Sequence, residues 1–166
     1  IMTLITSQTD KMHPVIRDYT KQKLNPALYE GMSEQEYDMV PYVHQLKQLP
    51  EDGIIDYLET PRYSTGFTNL FNTIGFVSET HMLKTFHEMV ESTHALLMVM
   101  INYMETNSAE LIELKNKAEE ETANMEYMPL SWQLDTTRFK MIDFQGYTAE
   151  YIKSEVTGQN RLYYNH

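Results

Sequence analysis

The stretch PRYSTGFTNLFNTIGFVSETHMLK, Pro61 to Lys84, constrains the chain most, because it compresses a break, a helical turn, a strand and an acid into very few residues. Pro61 fixes φ and pushes Thr60 toward extended geometry, so the preceding segment ends there. Phe67, Leu70 and Phe71 recur at helical spacing behind Thr65, which reads as an N-cap, and Gly75 reads as the stop. Gly75 to Glu79 has the aromatic and β-branched content of a short strand, with Thr80 and His81 as a polar turn after it. Glu79 thus stands at the C-terminal end of a strand, where open α/β sheets bind their ligands. A carboxylate there can be a general base, a metal ligand or a buried ion-pair partner, and most acids at strand ends are simply solvated.

Around this stretch the pattern alternates between strands and helices. IMTLIT (1–6) is apolar and β-rich enough for a buried strand, and it begins without a turn before it. Met12, Val15, Ile16 and Tyr19 predict an amphipathic helix with Pro14 in its first turn. Asn25-Pro26 predicts a restart, with Asn25 as cap and Tyr29 and Met32 turned inward. Met39 to Val43 reads as extended, Pro50 to Gly53 as a turn, and Ile54 to Leu58 as a strand. Phe86, Met89, Val90, Thr93, Leu97, Met100 and Met104, widened by Leu96 and Ile101, predict a long helix. Thr106-Asn107-Ser108 is expected to interrupt it, with Ser108 capping a second, exposed helix over 109–124 that carries a Glu113–Lys117 pair. Beyond Met128-Pro129 the residues alternate, predicting strands at 132–135, 139–144, 151–153 and 162–164, with turns at Gln145-Gly146 and Thr157-Gly158.

A length of 166 residues suits one full domain or a partial domain with an appendage, and 42% hydrophobic with 11% aromatic residues is globular. The net charge of −11 offers no basic field for phosphates or anionic membranes, which argues against non-specific nucleic-acid binding. Nearly all of the acidity lies before Glu126, so the tail is a different kind of segment. Without cysteine there is neither a disulfide framework nor a thiolate metal site. No apolar run is long enough to span a membrane. Opening on Ile1, with a strand at the very terminus, the chain reads as a processed or excised piece of a larger protein. A sheet cut there exposes a strand edge, which favours self-association.

Two other clusters compete for chemistry. His87, Glu91 and His94 share one helix face, and Glu91-x-x-His94 is half of a di-iron bundle site, but no second Glu-x-x-His follows. His81 would share a face with Glu79 only if the strand continued, and a satisfied structural histidine is the simpler reading. The twelve methionines read as core filler.

PRYSTGF followed by GFVSETHMLK resembles the C-terminal half of the catalytic domain of zinc metallocarboxypeptidases, in the bacterial branch that reads ETHMLK after the last core strand. The similarity runs from about Ile1 to Glu105. It implies an α/β fold: a partial carboxypeptidase-like mixed sheet with flanking helices over 1–125, then a β-rich appendage over 126–166, expected as the start of a second domain. It also implies a hydrolase of peptide or amide bonds, periplasmic or secreted, with zinc as cofactor in the intact protein. Glu79 would be the general base, Tyr63 the tyrosine that closes over the substrate, and Arg62 a partner for a substrate carboxylate. The family holds zinc with a His-x-x-Glu pair and a distant His, all upstream of the strand that IMTLIT resembles. His13, His44, His81, His87, His94 and His166 include no His-x-x-Glu, so no zinc ligand is expected in these residues. The alternative from another class is a non-catalytic binding module whose β-rich tail contacts a polymer or another subunit. Dialysed against zinc, the 166 residues alone are expected to retain metal sub-stoichiometrically; stoichiometric retention in metal analysis would contradict this.

Overall fold

The computed structural model describes residues 2–42, 44–45, 52–144 and 147–165. It is mixed α/β, with small sheets and one long helix. The chain divides into two units, residues 1–42 with 56–134 and residues 43–55 with 135–166. Of the sequence-based expectations, Val43, Pro50, Glu51 and the Gln145-Gly146 turn lie outside the described residues.

The first unit is built on a three-stranded sheet of order β2-β1-β5. In it β1 (Met2–Thr6) runs parallel to β2 (Met39–Pro41) and antiparallel to β5 (Phe76–Thr80). Met2 and Leu4 are buried, and strand alternation puts their register partners Thr80 and Ser78, with Phe76, on the same face. That face packs on helices through Leu24, Leu28, Met32 and Leu96. Leu28 and Met32 are fully buried, each stabilising the unit by about 1.5–3 kcal/mol of apolar transfer. Thr3, Ile5, Val77 and Glu79 occupy the opposite face.

The expected restart at Asn25-Pro26 does not occur. The helix α1 (Pro14–Tyr19) continues through a π turn, Thr20–Leu24, directly into α2 (Asn25–Glu34). Asn25 is helical rather than a cap, and its N–H donates to the Thr20 carbonyl five residues back. Pro26 has no N–H and its ring would strike the carbonyl of Gln22, so the widened turn accommodates a proline that an α-helix would not. Thr20 is buried, with its hydroxyl on the Ile16 carbonyl at 2.8 Å.

The expected break at Thr106-Asn107-Ser108 is also absent. A single helix α4 runs from Phe86 to Ala123, 38 residues. Thr106 Oγ1 and Asn107 Nδ2 turn back onto the Tyr103 carbonyl at 3.1 and 2.8 Å, so these polar side chains bond the turn behind them without replacing its ladder. Its buried line is rotated from the predicted stripe: Leu96 and Ala118 are buried and Val99, Met100, Tyr103, Leu111 and Leu114 pack beside the core. Phe86, Val90, Leu97, Ile101 and Met104 are largely exposed instead. The 109–124 portion is therefore part of the core and not an exposed spacer, and Lys117 pairs forward with Glu121.

Three shorter elements also differ. The helix α3 (Ser64–Thr68) starts from Tyr63 as N-cap, with Thr65 inside it. It ends through a 3₁₀ turn, Asn69–Phe71, at left-handed Asn72 (φ 47°) and not at Gly75. Phe67, Leu70 and Phe71 are about half exposed, so α3 is seated by its polar residues. In the second unit β3 (His44–Gln45) pairs with β4, which covers only Ile54–Ile55 of the predicted 54–58 strand. The hairpin β6 (Ala149–Lys153) and β7 (Asn160–Tyr164) turns at Gly158 (φ 70°), while 132–135 and 139–144 form no strand.

Thr85 begins α4 with a capping box that the sequence reading passed over: the Glu88 N–H donates to Thr85 Oγ1 at 3.2 Å and the Thr85 N–H to Glu88 Oε2 at 3.0 Å. The Thr85 backbone and hydroxyl hydrogen bonds hold the Glu88 carboxyl below its ordinary 4.5. A lowered folded pKa means the cap contributes fully above about pH 4.5 and is lost as pH falls through the lower folded value. Protection of the first-turn amides of α4, taken relative to their intrinsic exchange rates, is expected to fall in that acid range ahead of mid-helix amides; a uniform fall along the helix would contradict it.

Candidate functional site

Glu79 is set in place by the far end of its own strand. Ser7, fully buried just after β1, shares its one hydroxyl proton between the carbonyls of Thr65 (3.2 Å) and Gly75 (3.1 Å). The same oxygen accepts the Gly75 N–H at 2.9 Å, and the Ser7 N–H bonds the Gly75 carbonyl at 2.8 Å. One hydroxyl thus locks the start of β5 to the end of β1 and to α3. With a side-chain period of two, that register decides which face Glu79 occupies.

A buried acid anchors the other side of α3. Glu59, 1% exposed, accepts the Thr65 hydroxyl and the Gln8 N–H, the latter at 3.4 Å. Burial pushes the Lys11 ammonium down from its usual range, and the nearby Glu59 carboxylate offsets part of that. Gln8 Nε2 donates to the Tyr57 carbonyl, and Asn69 Nδ2 donates to the Gln8 carbonyl at 3.3 Å. A Cβ on Gly66 would stand 2.2 Å from the Thr60 carbonyl oxygen, so only glycine lets α3 seat against the 59–60 backbone. Sequence reasoning passed over Ser7 and Glu59. An acid before Thr-Pro and a serine after a strand look like ordinary turn residues, and nothing local announces their burial.

Glu79 itself is exposed near the end of β5, on the sheet face opposite the buried Met2 and Leu4. Its cross-strand partner is Thr3, whose hydroxyl is buried and has no hydrogen-bond partner among the described residues. Among the described residues Glu79 also forms no hydrogen bond or ion pair, so the structural ion-pair reading of this acid finds no partner here. The chain turns directly after Thr80. His81 leaves the sheet, and its Nδ1 accepts the Leu83 N–H at 3.2 Å, within its own turn.

Tyr63 and Arg62 lie in the turn that enters α3, closed by the Tyr63 N–H on the Thr60 carbonyl at 3.0 Å. Tyr63, 46% exposed, meets the Tyr57 ring edge-on at 5.2 Å, and Tyr57 meets Tyr42 edge-on at 6.5 Å. A hydrogen bond to Tyr63 holds the Tyr57 phenol up at about 12. Arg62 is exposed. No described hydrogen bond, ion pair or ring contact joins either residue to Glu79. On the helix side of the strand, Thr80, Lys84, Glu88 and Ser92 line a cleft of about 50 Å³, with room for water and not for a peptide side chain.

His87 and Glu91 pair at 3.2 Å on the exposed side of α4, and His94 is exposed. Among the described residues no three His, Asp or Glu side chains come together as a metal site requires, so the residues present do not fit a zinc ion. Comparison with protein-family models, characterised proteins and solved structures finds no match for this chain.

The seat of α3 gives a direct test. Gly66→Ala forces a methyl into backbone and is expected to lower stability by roughly 1–3 kcal/mol. Gly31→Ala, whose Cβ would meet only the movable Val99 side chain at 2.7 Å, is expected to cost less. Denaturant midpoints that fall equally for the two variants would contradict this account of the α3 seat.

Proposed function

We propose that this chain supplies the general-base segment of a carboxypeptidase-like hydrolase acting on peptide or amide bonds. The observation that carries the reading is the setting of Glu79. It is an exposed carboxylate without a hydrogen-bond or ion-pair partner among the described residues, held by a fixed register near the C-terminal end of β5, on the sheet face opposite Met2 and Leu4. The PRYSTGF and GFVSETHMLK resemblance supports the same residue.

In this reading the Glu79 carboxylate accepts a proton from the attacking water and returns it to the leaving amine. Tyr63, exposed in the turn before α3 and edge-on to Tyr57, would close over a bound substrate. Arg62 would pair with a substrate carboxylate. The resemblance puts the zinc ligands upstream of these residues, and no step assigned here to Glu79, Tyr63 or Arg62 runs through a metal. By itself the chain is expected to be inactive.

The test is Glu79→Gln in the zinc-loaded protein that carries this segment. The amide keeps the side chain's shape and cannot take a proton, so turnover is expected to fall by about 10²–10⁴-fold. Bound zinc and melting temperature are expected to stay unchanged. Preserved turnover with a lowered melting temperature would make Glu79 structural, and loss of zinc together with activity would make it a ligand. Either result overturns the assignment.

A further inference from the structure

On the helix side of the sheet, away from Glu79, a cavity of about 350 Å³ opens between the π turn, the entry to β5 and the middle of α4. We propose that it is a binding site for a small uncharged apolar molecule, an aliphatic chain or ring system of roughly ten to fifteen heavy atoms. Interiors pack at crystal density, and this space is far larger than ordinary packing defects. It is more than twice the ~150 Å³ of an apolar cavity that takes benzene.

The walls specify the chemistry. Leu24 comes from the π turn, Phe76 from β5, and Met100, Leu111 and Leu114 from α4. The lining contains no acid, histidine or serine, so the site is built to hold a molecule and not to transform it. Met100 and Met104 give the walls an adaptable, polarisable surface. Two uncommon backbone features shape the space: the π turn, a form found frequently at functional sites, and left-handed Asn72 at the rim.

Charge at the mouth selects a neutral ligand. The one basic side chain among the described lining residues, Lys115, is already engaged. Its ammonium donates to the Phe71 carbonyl at 2.9 Å and to Thr73 Oγ1 at 3.3 Å, and it pairs with Glu119 at 2.7 Å. Asn72 Nδ2 is spent on Thr122 Oγ1 at 3.0 Å. Among the described lining residues an anionic head group would meet no unpaired cation and would lie near Glu119, and a cationic one would lie beside Lys115.

The experiment titrates the full 166-residue chain with 1-octanol, octanoate or octylamine and follows the methyl resonances of methionine and leucine. Saturable 1-octanol shifts are expected at Met100, Leu111 and Leu114, with affinity at least ~10-fold above either charged analogue. Leu114→Trp narrows the space by several heavy atoms and is expected to weaken 1-octanol binding at least ~10-fold without lowering the melting temperature. If that variant melts lower, Met100→Trp is compared in its place. Ile101→Ser, on the exposed side of α4, is expected to bind as the parent does. No saturable shift with 1-octanol, equal binding of octanoate, shifts centred on Leu97 and Ile112, or undiminished binding in both narrowed variants would each overturn the proposal.

Discussion

The Ser7 hydroxyl is the contact on which the first unit depends. It sits where β1, α3 and β5 converge, its one proton shared between two carbonyls and its oxygen accepting one N–H. Buried polar groups are tolerated only when bonded, so this cluster is either complete or costly. Complete, it allows a single register for β5 on β1. That register sends Phe76 into the core and turns Glu79 outward. The close approach of Gly66 to Thr60 and the buried Glu59–Thr65 bond extend the same junction across α3.

Against this polar junction stands an apolar one made by α4. Its length lets one helix contact α1, α2 and the sheet in succession. Leu96 enters the cluster around Met2 and Leu28, while Ala118 closes a second one with Met12 and Ile16. Buried His13 adds a polar tie at the far end, with Nε2 3.2 Å from Glu121. A break at Thr106 would have separated these contacts. Tertiary burial on both sides of Thr106 outweighs the weak helix preference of Thr, Asn and Ser.

The two sides of the sheet therefore differ in kind. The helix side carries the core and the apolar cavity beside the π turn. The other carries Thr3, Ile5, Val77 and Glu79. Tyr63 stands in the turn before α3, which is fastened to the same junction as β5. The proposed hydrolytic role draws on a base on a fixed strand and a tyrosine in an exposed turn.

By itself the sequence determined the elements whose cause is local. Alternation in IMTLIT made β1, Pro14 opened α1, Phe76 to Glu79 had the composition of β5, and Thr157-Gly158 turned the β6–β7 hairpin. It also singled out Glu79, because an acid ending a short β-rich run is visible without a fold. Only the tertiary structure decided the rest. Whether Pro26 restarts a helix or widens one depends on the burial of Thr20, Leu24 and Leu28 around it. Which stripe of α4 faces inward depends on where the sheet lies, since its apolar residues span more than one face. Ser7 and Glu59 became structural through partners about 50 to 70 positions away, and the exposure of Phe67 and Phe71 follows from seating α3 by those polar bonds. Local preferences act over a few residues, whereas burial and hydrogen-bond completion are settled only when distant segments meet.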